Sequence, residues 1–283
     1  MTTPRQLIRR RADDPTLQYA LYDAGSAARA SVLLTHGYGE HSGRYHHVVE
    51  AWVERGITVA TYDLRGHGLS GGTRGHVRSF ADYVRDAVDL LDALDGDPAW
   101  KACGTPLLFG HSLGGLITFH LAAAHPKRFR GVLLTSPFFG LAPEVPAFKR
   151  IAGQLFSRIV PTLSLPTGMK GSDVTRDPVV ADAYDRDPLV GHNATARWFT
   201  EVQQAQADAR ALAPDFRLPI FCLQGAADKV VSTVATRAIL ESVESVDRTY
   251  TPVEGGYHEV LNDPGKEKLI AQLADRMLAW AAA

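Results

Sequence analysis

The sequence predicts an α/β fold, a mostly parallel sheet flanked by helices and interrupted by an inserted helical cap. Three observations carry this expectation. Short runs rich in Val, Leu, Ile and Phe recur at Ser31 to Thr35, Ile57 to Tyr62, Pro106 to Gly110, Gly131 to Thr135 and Pro219 to Gln224, apolar along their length as strands buried on both faces must be. Between them lie helical spacings, such as Phe80, Val84, Val88, Leu91 and Leu94 with charges on the opposite face, and this alternation of strand and helix points to a parallel sheet covered on both sides. The alternation then stops from Pro137 to about Pro214, a stretch rich in Pro, Phe and Leu with helix-like segments and no clear strand, too long to be bare loop. The expected organisation is therefore a core of 1–136 and 215–283 with a helical insertion at 137–214.

With 283 residues the chain has ample length for a substantial core. A 45% hydrophobic and 22% charged composition is that of a globular protein. Thirty Lys and Arg against 31 acidic residues give no bulk field to draw nucleic acid, so no nucleic-acid partner is expected. The local run Arg9, Arg10, Arg11 is followed at once by Asp13 and Asp14 and reads as a solvated segment. Two cysteines, Cys103 and Cys222, make no disulfide framework. No apolar stretch reaches the roughly 20 residues needed to cross a bilayer, and the expectation is a cytoplasmic protein or one resting on a membrane surface.

The segment Gly110-His111-Ser112-Leu113-Gly114 matches G-x-S-x-G, preceded by a strand-like run and followed by the helix-like Leu113 to Ala124. In that context the motif is the nucleophile elbow of the α/β-hydrolase fold: a reversal so sharp that only glycine fits beside the serine. It places the hydroxyl at a helix N-terminus, where backbone N–H groups and the helix dipole favour the negative charge that forms when a carbonyl is attacked.

In this fold the acid and the histidine follow the serine in the chain. Of the later histidines, His120 and His125 lie too close to the elbow helix to swing over Ser112, and His192 falls in the insertion. His258, after the strand-like Arg248 to Val253 and Gly255-Gly256, is the candidate base. Asp228 lies four residues past the strand-like run ending at Gln224, at the carboxyl end of a strand where such sheets carry functional groups, and is the candidate acid. Asp215 and Asp247 read as capping or solvated residues, and Glu254 lies too near His258 to reach its far nitrogen. After Ser31 to Thr35, the two glycines of His36-Gly37-Tyr38-Gly39 let the backbone curl over the elbow, and the N–H groups of Tyr38 and Leu113 are the expected oxyanion donors.

The sequence resembles the monoacylglycerol lipases, a group often classed with serine aminopeptidases and lysophospholipases. The resemblance spans nearly the whole chain. It includes His36-Gly37-Tyr38-Gly39-Glu40-His41-Ser42-Gly43-Arg44-Tyr45, Asp63-Leu64-Arg65-Gly66-His67-Gly68-Leu69-Ser70, the elbow, Tyr184-Asp185-Arg186-Asp187-Pro188-Leu189 and Gly256-Tyr257-His258-Glu259-Val260. It implies hydrolysis of a monoacylglycerol to glycerol and a fatty acid, no cofactor, and an apolar cap that guides the acyl chain and touches membranes loosely. It also implies that Glu40, Arg44 and Tyr184 surround the glycerol end; read from the residues alone, Glu40 and Arg44 are equally a local ion pair and Tyr184 a core aromatic. The chain departs from the vertebrate pattern at Leu261, where a histidine helps hold glycerol, and at Tyr38, where alanine is found.

The cluster His41, His46, His47 lacks partners at ligand spacing, and no metal is expected. Asp63 to Gly68 lacks the spacing of a phosphate loop and reads as a tight structural turn. Three functions stay open: a monoacylglycerol-type lipase; a lysophospholipase, broad esterase or aminopeptidase with the same triad, the last using Glu40 or Glu144 for an amine; and a non-catalytic binding protein. Of the apolar positions Phe138, Phe139, Leu141, Val145, Phe148, Ile151, Leu155, Phe156, Ile159 and Val160, most read equally well as cap helix buried against the core, and some are expected to face an acyl tunnel or a bilayer, with Phe138 and Phe139 as the first positions to test.

Overall fold

The structure, a computed structural model, describes residues 6–8, 11–142 and 147–283. Arg9, Arg10, Glu144 and Val145 lie outside the described residues, as does the side chain of Phe148. Eight strands among the described residues form one sheet: β1 (Gln6–Ile8), β2 (Leu17–Tyr22), β3 (Ala30–Thr35), β4 (Ile57–Tyr62), β5 (Leu107–His111), β6 (Val132–Thr135) and, after an insertion, β9 (Ile220–Gly225) and β10 (Arg248–Val253). Their order is β1-β2-β4-β3-β5-β6-β9-β10. From β4 to β10 every pairing is parallel, while β2 runs antiparallel to β4 and β1 to β2. This is the mostly parallel sheet of an α/β-hydrolase. The six parallel strands lie where the sequence predicts them, and the antiparallel edge pair is not predicted: Gln6–Ile8 is only three residues long, and Leu17–Tyr22 mixes polar and apolar residues, with only Leu17, Ala20 and Leu21 buried.

Helices α1 (His46–Glu54), α2 (Ala81–Leu94), α3 (Pro98–Ala102), α4 (Leu113–Ala124), α9 (Thr233–Ser242) and α10 (Lys266–Ala282) cover the sheet. One core layer packs α2 and α4 on the strands through Tyr83, Leu90, Leu91, Leu116 and Phe119, and the other packs α1 and α10 through Trp52, Leu273 and Met277. The inward face of α2 differs from the spacing expected. Tyr83, Ala87, Leu90, Leu91 and Leu94 are buried, Val84 and Val88 only partly, and Asp82 and Asp86 turn inward. Arg65 explains this: its guanidinium grips Asp86 bidentately at 2.5 and 2.6 Å and lies 3.4 Å from Asp82, so the carboxylates are buried as a paired set.

Between β6 and β9 lie α5 (Ala147–Ile159), β7 (Ser164–Pro166), α6 (Gly171–Val174), α7 (Pro178–Arg186), β8 (Asn193–Thr195) and α8 (Ala196–Leu212). The expectation of no strand here is corrected, for β7 and β8 pair antiparallel. Each is three residues long and Ser164–Pro166 is exposed throughout, so neither carries a hydrophobic period. Proline at the first turn, with Asp177 accepting from the N–H groups of Val179 and Val180, starts α7.

Tight glycine packing joins β3, β5 and α4. A Cβ on Gly114 would collide with the carbonyl oxygens of Thr35 and His36, and one on Gly110 with the Gly114 carbonyl oxygen. Because the obstacles are backbone, Gly114→Ala should destabilise the fold by about 1–3 kcal/mol and pull β3 from the elbow, read as a lower Tm together with lost esterase activity.

Candidate active site

Ser112 is the single residue between β5 and α4, with φ 51° and ψ −117°, a left-handed backbone value that a non-glycine residue adopts only when its surroundings impose it. Its N–H donates to the Thr135 carbonyl at 3.0 Å, and its own carbonyl accepts from Leu116 at 3.1 Å and Phe138 at 2.9 Å. Ser136, at the end of β6, is also held at positive φ; its hydroxyl donates to the His258 carbonyl at 2.7 Å.

His258 and Asp228 come from the loops after β10 and β9. His258 Nδ1 lies 2.9 Å from Asp228 Oδ2. The carboxylate also accepts from the Val230 and Val231 N–H groups at 2.8 and 3.0 Å and from Gln224 Nε2 at 2.9 Å, and its side chain is fully buried. Burial pushes the Asp228 carboxyl up, but the charge and hydrogen bond of His258 and the two N–H groups outweigh it and hold the carboxyl below its ordinary value. Burial would likewise depress His258, yet Asp228, by charge and hydrogen bond, with Glu259 and Glu40 behind it, raises it above the usual imidazole range. With Nδ1 occupied by Asp228, Nε2 is the nitrogen available for proton transfer. His111, with its ring centroid 4.8 Å from that of His258, is held down to about 4 by burial and by His258 and stays neutral.

The loop after β3 is fixed from within. His36 Nε2 accepts from the Leu64 N–H at 2.9 Å, which leaves the ring proton on Nδ1 to donate to the Gly37 carbonyl at 2.7 Å. A Cβ on Gly37 would lie 3.1 Å from the Ser112 Cβ, so the loop presses directly on the elbow. Among the described residues neither the Tyr38 nor the Leu113 N–H donates to another backbone or side-chain group, consistent with two donors kept for an oxyanion. The Tyr38 side chain turns away, donating to the Asn193 carbonyl at 2.6 Å and lying 3.8 Å from the Trp198 ring. With Gly191 N–H to the Gly39 carbonyl at 2.7 Å and His41 Nε2 to Asp187 Oδ2 at 2.9 Å, the oxyanion loop is tied to the insertion at three points.

Glu40 and Arg44 form the ion pair that one reading of the sequence expects, at 2.8 Å, and Tyr184 lies under the Arg44 guanidinium at 4.8 Å from the ring centroid. The second partner of Arg44 is not apparent in the sequence: Glu259 accepts from its two terminal guanidinium nitrogens at 2.5 and 2.8 Å. Its place beside His258 was the available signal. Leu261 is buried in the core layer under the sheet, with its carbonyl accepting from His47 at 2.8 Å. His46 faces Glu50. Asp63 accepts from Ser42 N–H, Ser42 Oγ and Leu69 N–H, bonds of a structural turn.

Ser112, His258, Tyr38, Glu40, Tyr184 and Glu259 all border one cavity of about 830 Å³, whose remaining wall is mainly apolar and comes from Phe138, Leu163, Leu165, Met169, Trp198 and Phe199. Fold and site define a serine hydrolase of the α/β-hydrolase class. Residues 26–265 match the sequence profile described as serine aminopeptidase, S33; the chain belongs to this family, in its monoacylglycerol lipase branch. It is 32% identical over 271 residues to the monoacylglycerol lipase of Mycolicibacterium smegmatis, covering 93% of this chain and 91% of that one. The crystal structure of Paleococcus ferrophilus monoacylglycerol lipase superposes with a TM-score of 0.85 at 30% identity, covering 93% and 99% of the two chains. An uncharacterized abhydrolase domain-containing protein of Dictyostelium discoideum is 30% identical over 273 residues, and this chain spans 28% of its length.

A base must be neutral to accept a proton, so kcat/KM should fall as pH drops through the raised His258 pKa. Asp228→Asn removes the charge that lifts it, leaving burial to lower it. Its acid limb should move to lower pH, with kcat reduced about 10⁴-fold, measured as a pH–rate profile on a soluble ester.

Proposed function

We propose that this chain hydrolyses monoacylglycerols to glycerol and fatty acid through an acyl-enzyme on Ser112. The single observation that supports this most is the make-up of that cavity: its lining is mainly apolar, yet it also includes Ser112, His258 and the Glu40, Glu259 and Tyr184 side chains that gather around Arg44. His258 Nε2 takes the Ser112 proton as Oγ attacks the ester carbonyl, and the Tyr38 and Leu113 N–H groups receive the oxyanion. The protonated imidazole, steadied by Asp228, passes that proton to the departing glycerol oxygen; a water deprotonated by His258 then releases the acid. Tyr184 is nearly fully buried and its hydroxyl has no hydrogen-bond partner among the described residues, an unspent donor suited to a glycerol hydroxyl. The relatives that carry the name monoacylglycerol lipase support the same substrate.

The insertion acts as a cap over residues 137–214, and it offers a lipid surface an apolar face. Ile151 and Ile159 are about two-thirds exposed, and Leu155 and Leu165 more than half. Phe138 and Phe139 do not belong to that face. Phe139 is fully buried in the core and Phe138 lines the cavity, so neither is available to a bilayer, and of the apolar positions singled out in the sequence Ile151, Leu155 and Ile159 on α5 are the most exposed and are left to meet it. No helix among the described residues is long and apolar enough to cross a membrane.

In a matched acyl series of monoacylglycerol, diacylglycerol, lysophosphatidylcholine, methyl ester and aminoacyl amide, kcat/KM should be highest for monoacylglycerol, and Ser112→Ala should reduce kcat about 10⁶-fold; a flat ester profile would mean a general esterase. The double substitution Leu155→Glu, Ile159→Glu should weaken co-sedimentation with phosphatidylcholine vesicles by more than about tenfold while leaving hydrolysis of a soluble butyrate ester unchanged.

A further inference from the structure

Arg44 stands between two loops that must keep a fixed distance for the proposed chemistry to work. On one side Glu40 Oε2 receives Arg44 at 2.8 Å, while Glu40 Oε1 receives the Gly37 N–H at 2.5 Å and the Tyr45 hydroxyl at 2.7 Å. Glu40 therefore sets the turn that presents the Tyr38 N–H. On the other side Glu259, next to His258 in the chain, takes Arg44 in a bidentate grip and is braced by Asn262 Nδ2 at 2.8 Å and by its own N–H to the Val174 carbonyl at 2.7 Å. Every member is buried: Glu40 at 2% and Glu259 at 6% exposure, and the Arg44 side chain at 9%.

We propose that Glu259 is a positioning residue, which through Arg44 and Glu40 fixes the histidine loop against the oxyanion loop and places a second negative charge behind the imidazolium that forms during attack. The inference rests on the assignment of Ser112 and His258 to the reaction. A planar guanidinium held by two carboxylates resists sliding as a single hydrogen bond does not, since a bidentate pair fixes both distance and plane. The charge count supports the second role. Two carboxylates on one guanidinium leave a net buried charge of about −1 facing His258, in addition to Asp228. The groups around His258 are Asp228, Glu259 and Glu40, which favour its protonated form, and His111, which is held neutral by burial. Burial raises Glu40 itself, but the Arg44 guanidinium and the hydrogen bond from the Tyr45 hydroxyl outweigh that and keep it ionised well below the ordinary carboxylate range.

The two roles separate in two variants. Glu259→Gln keeps length and hydrogen-bonding shape but removes charge; Glu259→Asp keeps charge but is one methylene too short for the bidentate grip. On a soluble ester, Glu259→Gln should shift the acid limb of kcat/KM down by about half to one pH unit and lower kcat. Glu259→Asp should leave the limb in place while lowering kcat about tenfold, with KM little changed in both when the ester carries no glycerol group to meet Glu259. Thermal melts show whether each variant is folded; if Glu259→Gln is not, the Glu259→Asp kinetics and limb decide alone. An unmoved limb in a folded Glu259→Gln, or an unchanged kcat in Glu259→Asp, overturns the proposal and leaves Glu259 as a structural ion pair. Full activity in Ser112→Ala would instead overturn the triad on which it rests.

Discussion

A serine held at φ 51° stores about 1–3 kcal/mol of backbone strain, and the fold offsets it from three sides. The strand ladder fixes Ser112 N–H on Thr135, the first turn of α4 and the Phe138 N–H hold its carbonyl, and glycines at 110 and 114 admit the backbone of β3 and α4 to distances no side chain permits. The same packing that imposes the turn brings the oxyanion loop against Ser112 through Gly37. The positions of the proposed nucleophile and of the proposed oxyanion donors are thus consequences of one close approach. Ser136, also at positive φ, extends the constraint to the histidine loop through its bond to the His258 carbonyl.

Around that turn the charges are arranged so that none is buried alone. Asp228 is saturated by two N–H groups, an amide and the imidazole. Arg44 is shared by Glu40 and Glu259, and Arg65 holds the carboxylates that α2 turns inward. An unpaired buried charge costs several kcal/mol, so these sets have to form with the fold, and they preorganise the site before substrate enters. The insertion takes part in this. It grips the oxyanion loop at Asp187, Gly191 and Asn193 and the histidine loop through Asp263, which receives Thr175 Oγ1 and Arg176 N–H at 3.0 and 2.7 Å.

Much of this was legible in the sequence because the signals are local. A buried parallel strand is a largely apolar run, and β4 lies where Ile57 to Tyr62 place it, buried along its whole length; β10, partly exposed, lies at the strand-like Arg248 to Val253. The elbow is written in five consecutive residues. What was not legible depends on partners distant in the chain. The inward aspartates of α2 make sense only once Arg65 is seen facing them, Glu259 only once Arg44, 215 residues away, is seen gripping it. Exposed β7 carries no period, and which of the apolar positions from Phe138 to Val160 look outward is a matter of burial alone: Phe138 and Phe139 are buried, while Ile151, Leu155 and Ile159 are exposed.

The central claim is that Ser112, activated by His258 and Asp228, is the atom that becomes acylated. Intact-protein and peptide mass spectrometry after reaction with a long-chain alkyl fluorophosphonate, an analogue of the tetrahedral state, tests it without reference to the natural substrate. The account predicts one adduct per chain, located on Ser112, forming more slowly as pH falls through the His258 pKa. An adduct on another residue, or a Ser112 that stays unlabelled in folded protein, would contradict it.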